Sequence, residues 1–316
     1  MTPTPAWPVF GHQTAERAVS DAMQSGRMHH AWLFDGPSGI GKSRLARRFA
    51  AVLLGADRLS ESTLEVASND PVVEKMEAGA HPDFRWLSRE PNEKGKLPLY
   101  IPVDQVREDL VNFFTLKPAL GGKRVCVVDA VDELNASGAN ALLKSLEEPP
   151  SHCVLILIYH GQRPILPTIR SRCRRLRFSP LDETAFEQAT ERAPISVQAR
   201  AKAFAGGRPG RAMALSEPDA MAGLSAAETL LGHLDRGAMR DVPSVFASAA
   251  KSDESFGAFA SGLLEGLSRR AIETPGLANA WLWVTRTLDH ASRDAMDRGQ
   301  TTAKLVSGLQ EHYSAA

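Results

Sequence analysis

The sequence has 316 residues, 43% hydrophobic and 23% charged, the balance of a folded chain long enough for two or three domains. Lys+Arg and Asp+Glu both number 37, so any nucleic-acid contact has to come from a local basic patch rather than from global charge. The three cysteines, Cys126, Cys153 and Cys173, form no CxxC pair, which argues against a disulfide framework or local zinc knuckle and fits a reducing cytoplasm. The N-terminal residues lack the cationic and apolar regions of a signal peptide, and no run approaches the roughly 18 apolar residues of a membrane span.

Residues 13–26 are predicted helical and end at Gly26. Ala31-Trp32-Leu33-Phe34 reads as a short buried strand closed by Asp35-Gly36. After a glycine-rich turn, Leu45, Phe49, Val52 and Leu53 keep helical spacing from Lys42 to Leu54, and Gly55 stops that helix. The segment 56–100 is polar, carries scattered Gly and Pro, and reads as irregular. Residues 103–116 place Val106, Leu110, Phe113 and Phe114 on one helical face, with Pro118 just beyond. Val125 to Asp129 is a second buried-strand pattern. An amphipathic helix at 137–147 runs through Leu142, Leu143 and Leu146 and is stopped by Pro149-Pro150. Val154–Tyr159 and Arg175–Phe178 read as the third and fourth strands. Strands alternating with helices imply an α/β domain with a parallel sheet. After Pro180 the strand signals cease. Short helices broken at Gly206-Gly207 and Pro209-Gly210 lead into an all-helical stretch from about 224, where Phe256, Phe259, Leu263, Leu264 and Leu267, and then Trp281, Val284 and Leu288, keep the helical period.

Gly36-Pro37-Ser38-Gly39-Ile40-Gly41-Lys42-Ser43 matches GxxxxGK[ST]. Glycines let the backbone wrap a phosphate, and the N–H groups at a helix N-terminus point at it. Lys42 would reach the β- and γ-phosphates and Ser43 would ligate Mg²⁺. The preceding strand and following helix are the context this mechanism needs; the alternative is a glycine-rich turn with no ligand. Asp129, ending its strand, can hold Mg²⁺ through water, or can be a polar strand terminus or helix cap. Asp132 and Glu133 lie nearby, but a shift of two residues would aim them elsewhere. Five arginines, Arg170, Arg172, Arg174, Arg175 and Arg177, fall within the nine residues 169–177. They read either as a solvated basic edge or as a source of an arginine finger and of DNA-phosphate contacts. His81, beside a proline, reads as a loop hydrogen-bonder, Cys173 as a small buried residue, and the five tryptophans as core or interface anchors.

Gly11-His12, His30-Ala31-Trp32-Leu33-Phe34, His81-Pro82-Asp83, Asn140-Ala141-Leu142-Leu143-Lys144-Ser145-Leu146-Glu147-Glu148-Pro149-Pro150 and Ser171-Arg172-Cys173 together resemble the bacterial clamp-loader family of AAA+ proteins. The resemblance is strong over roughly 1–215. The family pattern implies a RecA-like AAA+ domain (1–178), a small helical lid (179–222) and a helical collar (223–316) that assembles a pentameric ring. Its implied partners are gamma/tau and delta subunits, the sliding clamp and primer-template DNA, with ATP or ADP and Mg²⁺ as the bound nucleotide. By the same resemblance Arg172 is a finger acting on a neighbour's site.

Three hydrolysis elements depart from the motor pattern. Ala130 stands where a water-polarising Glu is expected, Tyr159-His160 replaces the sensor-1 Thr or Asn, and Gly210 falls at the sensor-2 arginine. Residues 55–80 contain no Cys or His, so the four-cysteine zinc module of many relatives is not expected. The details resemble the delta prime branch. Two rivals stay open: a gamma/tau-type motor using Asp132 or Glu133 as a substitute, and a structural collar protein with a vestigial phosphate loop.

Overall fold

A computed structural model describes residues 4–91, 95, 97–193, 196–237, 242–293 and 296–314. The chain divides into two compact units, 1–189 and 190–316.

The first unit is built on five parallel strands: β1 (Ala31–Asp35), β2 (Phe84–Leu87), β3 (Arg124–Val128), β4 (Cys153–Tyr159) and β5 (Arg174–Arg177), in the spatial order β2-β3-β4-β1-β5. All seven residues of β4 and all five of β3 are buried, as expected for strands covered on both faces. The two-residue period sorts their side chains between two cores. Trp32, Phe34, Val125, Val127, Ile156 and Ile158 pack on one face with the helices Gln13–Gln24 and Lys42–Leu53. Leu33, Cys126, Val128, Leu155 and Leu157 pack on the other with Val106, Leu110, Leu142 and Leu146. The latter two leucines belong to the helix Ala136–Glu147, whose N-cap Asn135 accepts from Gly138 N at 2.8 Å.

The reading of 56–100 as irregular is overturned for the part described. Asp70 caps a helix Pro71–Glu77 by accepting from Val72 N at 2.8 Å, and Pro71 supplies the preset first turn. Phe84–Leu87 adds β2 to the sheet edge, in register with Val125–Val128. Four residues are too few for a periodicity to stand out, and the two central ones are half-buried rather than alternating. Residues 92–94 and 96 of that segment lie outside the described residues. The amphipathic stretch 103–116 is helical from Val103 to Thr115, but residues Arg107–Asn112 form a π-helical segment.

The second unit is all-helical among the described residues, with long helices Pro218–Asp235, Asp253–Glu273, Leu277–Arg293 and Arg298–Ser314. Phe259, Leu263 and Leu267 lie in one core with Leu230, Leu231, Val284, Leu305 and Leu309. The helices Pro218–Asp235 and Asp253–Glu273 approach closely: a Cβ on Gly223 would sit 1.9 Å from Ser255 O, so no larger residue fits there. Among the described residues no helix is long and apolar enough to cross a membrane.

Candidate nucleotide site

The three strands β1, β3 and β4 end side by side, so the loops after them share the carboxyl edge of the sheet, where open α/β sheets place ligands. After β1 the chain enters the glycine loop. A Cβ on Gly36 would lie 2.3 Å from Phe178 O; only glycine lets the loop leave β1 so close to the backbone following β5. Gly39 and Gly41 have φ of 81° and 102°, the left-handed region glycine adopts without penalty. His12 braces the loop from the other side, its Nε2 donating to Ile40 O at 2.7 Å. That contact fixes the proton on Nε2, and burial pushes the His12 pKa down, so the ring stays neutral.

The loop meets the chemical requirements of a phosphate cradle. The backbone N–H groups of Ser38, Gly39, Gly41, Lys42 and Ser43 donate to no other described residue, and they open the twelve-residue helix Lys42–Leu53. Free donors at a helix N-terminus suit an anion. Lys42 is 2% exposed and turned inward. Its ammonium donates to Gly36 O, to Pro37 O at 2.6 Å and to His160 Nδ1 at 3.0 Å, which uses all three of its protons. Burial lowers its pKa to about 8, against the opposing pull of Asp129, Asp132 and Asp35.

Asp129 follows β3, its N–H bonded to Leu87 O at 2.8 Å, and its carboxylate stands 3.6 Å from His160 Nε2. Because Lys42 can only donate, His160 Nδ1 accepts and the ring proton is on Nε2, facing Asp129. One imidazole therefore spans the lysine and the acid. Ser43 lies half-buried in the first helical turn, leaving Ser43 and Asp129 as the residues that could hold Mg²⁺.

The hydrolytic half is differently arranged. Ala130 holds φ of 66° and ψ of 68°, a left-handed conformation that an L-residue adopts only at a cost. Asp132 is 4% exposed. Its two oxygens accept from His160 N at 3.3 Å and Gln162 N at 2.9 Å, so it anchors the turn after β4. Glu133 is paired with Arg89 at 2.6 Å. Neither acid is free to polarise a water. Gly210 lies in the first turn of the helix Pro209–Ser216 and offers no guanidinium.

Arg172 closes the short helix Pro167–Ser171, donating to Thr168 O at 3.1 Å and pairing with Glu147 at 3.1 Å. Among the described residues it makes no hydrogen bond or ion pair with Lys42, Asp129 or His160. Of its arginine neighbours, Arg170 covers Tyr159, Arg174 covers Trp32 and Arg175 pairs with Asp35. His81 is a loop hydrogen-bonder: Nδ1 accepts from Asp83 N at 3.2 Å. Cys173 has its thiol pKa raised to about 12 by burial, the opposite of a nucleophile's. Among the described residues no group of three or more His, Cys, Asp or Glu is arranged to hold a metal.

In the sequence, position 160 stands out only as part of a replaced sensor; that its imidazole spans Lys42 and Asp129 depends on the strand register. His12 carried a signal in Gly11-His12, but its bond to Ile40 joins residues 28 apart and has no local trace.

The profile of the family described as "DNA polymerase III, delta subunit" matches residues 11–182. The DNA polymerase III subunit delta' of Pseudomonas aeruginosa is 43% identical over 144 residues, covering 46% of this chain and 41% of that protein. The DNA polymerase III subunit gamma of Buchnera aphidicola is 31% identical over 175 residues, covering 55% of this chain and 45% of that one. A solved structure of a gamma subunit-related protein from Thermotoga maritima overlaps with a TM-score of 0.49 at 15% identity, over 93% of this chain and 99% of that one. The matched region spans less than half the length of the curated relatives.

Proposed function

The chain belongs to the DNA polymerase III delta-subunit family and is a clamp-loader component of the delta-prime kind, and from that premise we propose that it is an assembly subunit with little ATPase of its own. It works in the cytoplasm beside gamma/tau and delta subunits in a pentameric ring that loads the sliding clamp on primer-template DNA at the expense of ATP. In this reading the chain divides into an AAA+ domain (1–178), a helical lid (179–222) and a collar (223–316).

The observation that carries the proposal is the contrast within one site. The cradle of free N–H groups, Lys42 and Ser43 suits ATP or ADP with Mg²⁺ held by Ser43 and Asp129. Beside it, Ala130 has no acid and the carboxylates of Asp132 and Glu133 are engaged elsewhere. Bound nucleotide with its metal would supply charge and shape to the subunit, while Arg172 would supply a guanidinium to an adjacent motor's γ-phosphate. Such a group in trans is worth about 10³–10⁵ in rate. Glu147 holds Arg172 in place along the helix Ala136–Glu147 until a neighbour competes for it.

The motor reading loses support because both substitute acids are occupied. The vestigial-loop reading is favoured by one observation, the inward turn of Lys42 onto its own loop. Calorimetric titration of the full chain with MgADP and MgATP, with turnover measured alongside, decides among the three. Binding without turnover is the expected result. Robust turnover by the chain alone would sink the proposal, and absence of any binding would leave the vestigial reading standing.

A further inference from the structure

We propose that His160 makes this site select nucleoside diphosphate over triphosphate, by standing where the γ-phosphate of a triphosphate would lie. The inference rests on the nucleotide-binding reading above and adds a specificity that the motif alone does not carry.

In a phosphate-loop site the lysine reaches the β- and γ-phosphates, and the acid of the third strand would help hold Mg²⁺ beside them. The space between lysine and acid is therefore where the γ-phosphate of a triphosphate would lie. Here an imidazole fills it, 3.0 Å from Lys42 Nζ on one side and 3.6 Å from Asp129 Oδ1 on the other.

The position of that ring is set from beneath. The backbone N–H of His160 and that of Gln162 both donate to the buried Asp132 carboxylate, so the turn after β4 is tied down at two points and the side chain leaves it toward the loop. Lys42 is tied in turn, because its other two donors go to Gly36 O and Pro37 O. A third phosphate has to displace the imidazole, break its bond to Lys42 and bring its negative charge toward Asp35, Asp129 and Asp132, the three carboxylates acting on Lys42.

The backbone donors are not part of this arrangement. Those of Ser38, Gly39, Gly41, Lys42 and Ser43 donate to no described residue, and they are the groups that cradle the inner phosphates. A diphosphate thus keeps most of its ligands and meets the obstacle least. His160 is in this sense a specificity-determining residue, and its side chain acts without any proton transfer.

The test is calorimetric titration of the full chain with MgADP and with the Mg²⁺ complex of a β,γ-imido triphosphate analogue, which is not hydrolysed during the measurement. Wild type, His160→Ala and His160→Asn are compared, with far-UV circular dichroism as the check on folding. The wild type is expected to bind the diphosphate about tenfold more tightly, the scale of one lost hydrogen bond to a charged donor. In His160→Ala the two affinities come within about threefold, chiefly by tightening of the triphosphate analogue. His160→Asn, too short to reach from Lys42 to Asp129, behaves the same way and serves if the alanine variant does not fold. A wild type that binds both equally, or a preference unchanged by either substitution, overturns the proposal while leaving the nucleotide site intact. No binding of either ligand by any of the three chains removes the nucleotide reading and this inference with it.

Discussion

Asp132→Ala separates an anchoring carboxylate from a water-activating one. The carboxylate is buried and accepts two backbone N–H groups across the fold, His160 N at 3.3 Å and Gln162 N at 2.9 Å. Hydrogen bonds to a charged acceptor are worth about 1.5–3 kcal/mol each. The longer of the two is worth the lower figure or less. Gln162 is exposed, so water can take over its N–H in the variant. These offsets leave a loss of about 2 kcal/mol. For a unit the size of residues 1–189 this lowers the melting temperature by roughly 4–8 °C. Urea unfolding followed by circular dichroism reads the loss, with ATP turnover measured on the same samples. The expected result is reduced stability and the same negligible turnover before and after. Unchanged stability together with the loss of a measurable wild-type turnover would show that Asp132 activates water, and would return the motor reading to first place.

Three further outcomes follow from particular contacts. Gly36→Ala forces a methyl to 2.3 Å from Phe178 O; the shift of the loop should cost about 1–3 kcal/mol and abolish nucleotide binding, and binding retained at wild-type affinity contradicts the loop geometry. Asp83 is buried, accepts from Ala119 N and Leu120 N at 2.8 and 2.9 Å and faces Arg124 at 3.3 Å. Asp83→Ala leaves a buried guanidinium without its counter-ion and should cost about 3–5 kcal/mol in a urea melt; a loss below about 1 kcal/mol refutes that role. In the helical unit, hydrogen bonds from Arg270 and then Tyr313 hold the Asp235 carboxyl below its usual range. A depressed carboxylate stabilises the fold at pH values above its unfolded pKa, and that stability is lost as pH falls through the folded one. Asp235 is partly exposed, so solvent screening limits the effect to about 0.5–1 kcal/mol. Asp235→Asn should therefore destabilise at neutral pH, and the difference should shrink below about pH 4; a difference independent of pH excludes the charge as its source.

The parts of the fold that the sequence announced are those with strong local chemistry. The glycine loop, the buried runs of β1, β3 and β4, and the leucine face of the helix Ala136–Glu147 each carry their own pattern. β2 did not, because its register with β3 is fixed by a distant partner and its four residues include an arginine and a tryptophan only half covered. The Asp70-Pro71 pair is a local helix-start signal, but the seven-residue helix it opens is too short to raise a period above its polar surroundings. In the site, Lys42, Ser43 and Asp129 could be named from spacing, since the motif requires them. The roles of His160, Asp132 and Glu133 could not. Each depends on a contact across the fold: His160 to Lys42 over 118 residues, Asp132 to the turn after β4, and Glu133 to Arg89. Sequence spacing can nominate an acid near a metal site, but only the tertiary contacts reveal whether it is already engaged.

In the proposed reading the chain lends an arginine to a neighbour and does not itself hydrolyse nucleotide. ATP turnover by the purified chain, alone and then reconstituted with gamma/tau and delta subunits, with Arg172→Ala against wild type, tests it most directly. Negligible turnover alone and a reconstituted complex that loses a substantial part of its activity with Arg172→Ala is the predicted result. Substantial turnover by the isolated chain, with the complex indifferent to Arg172, would contradict it.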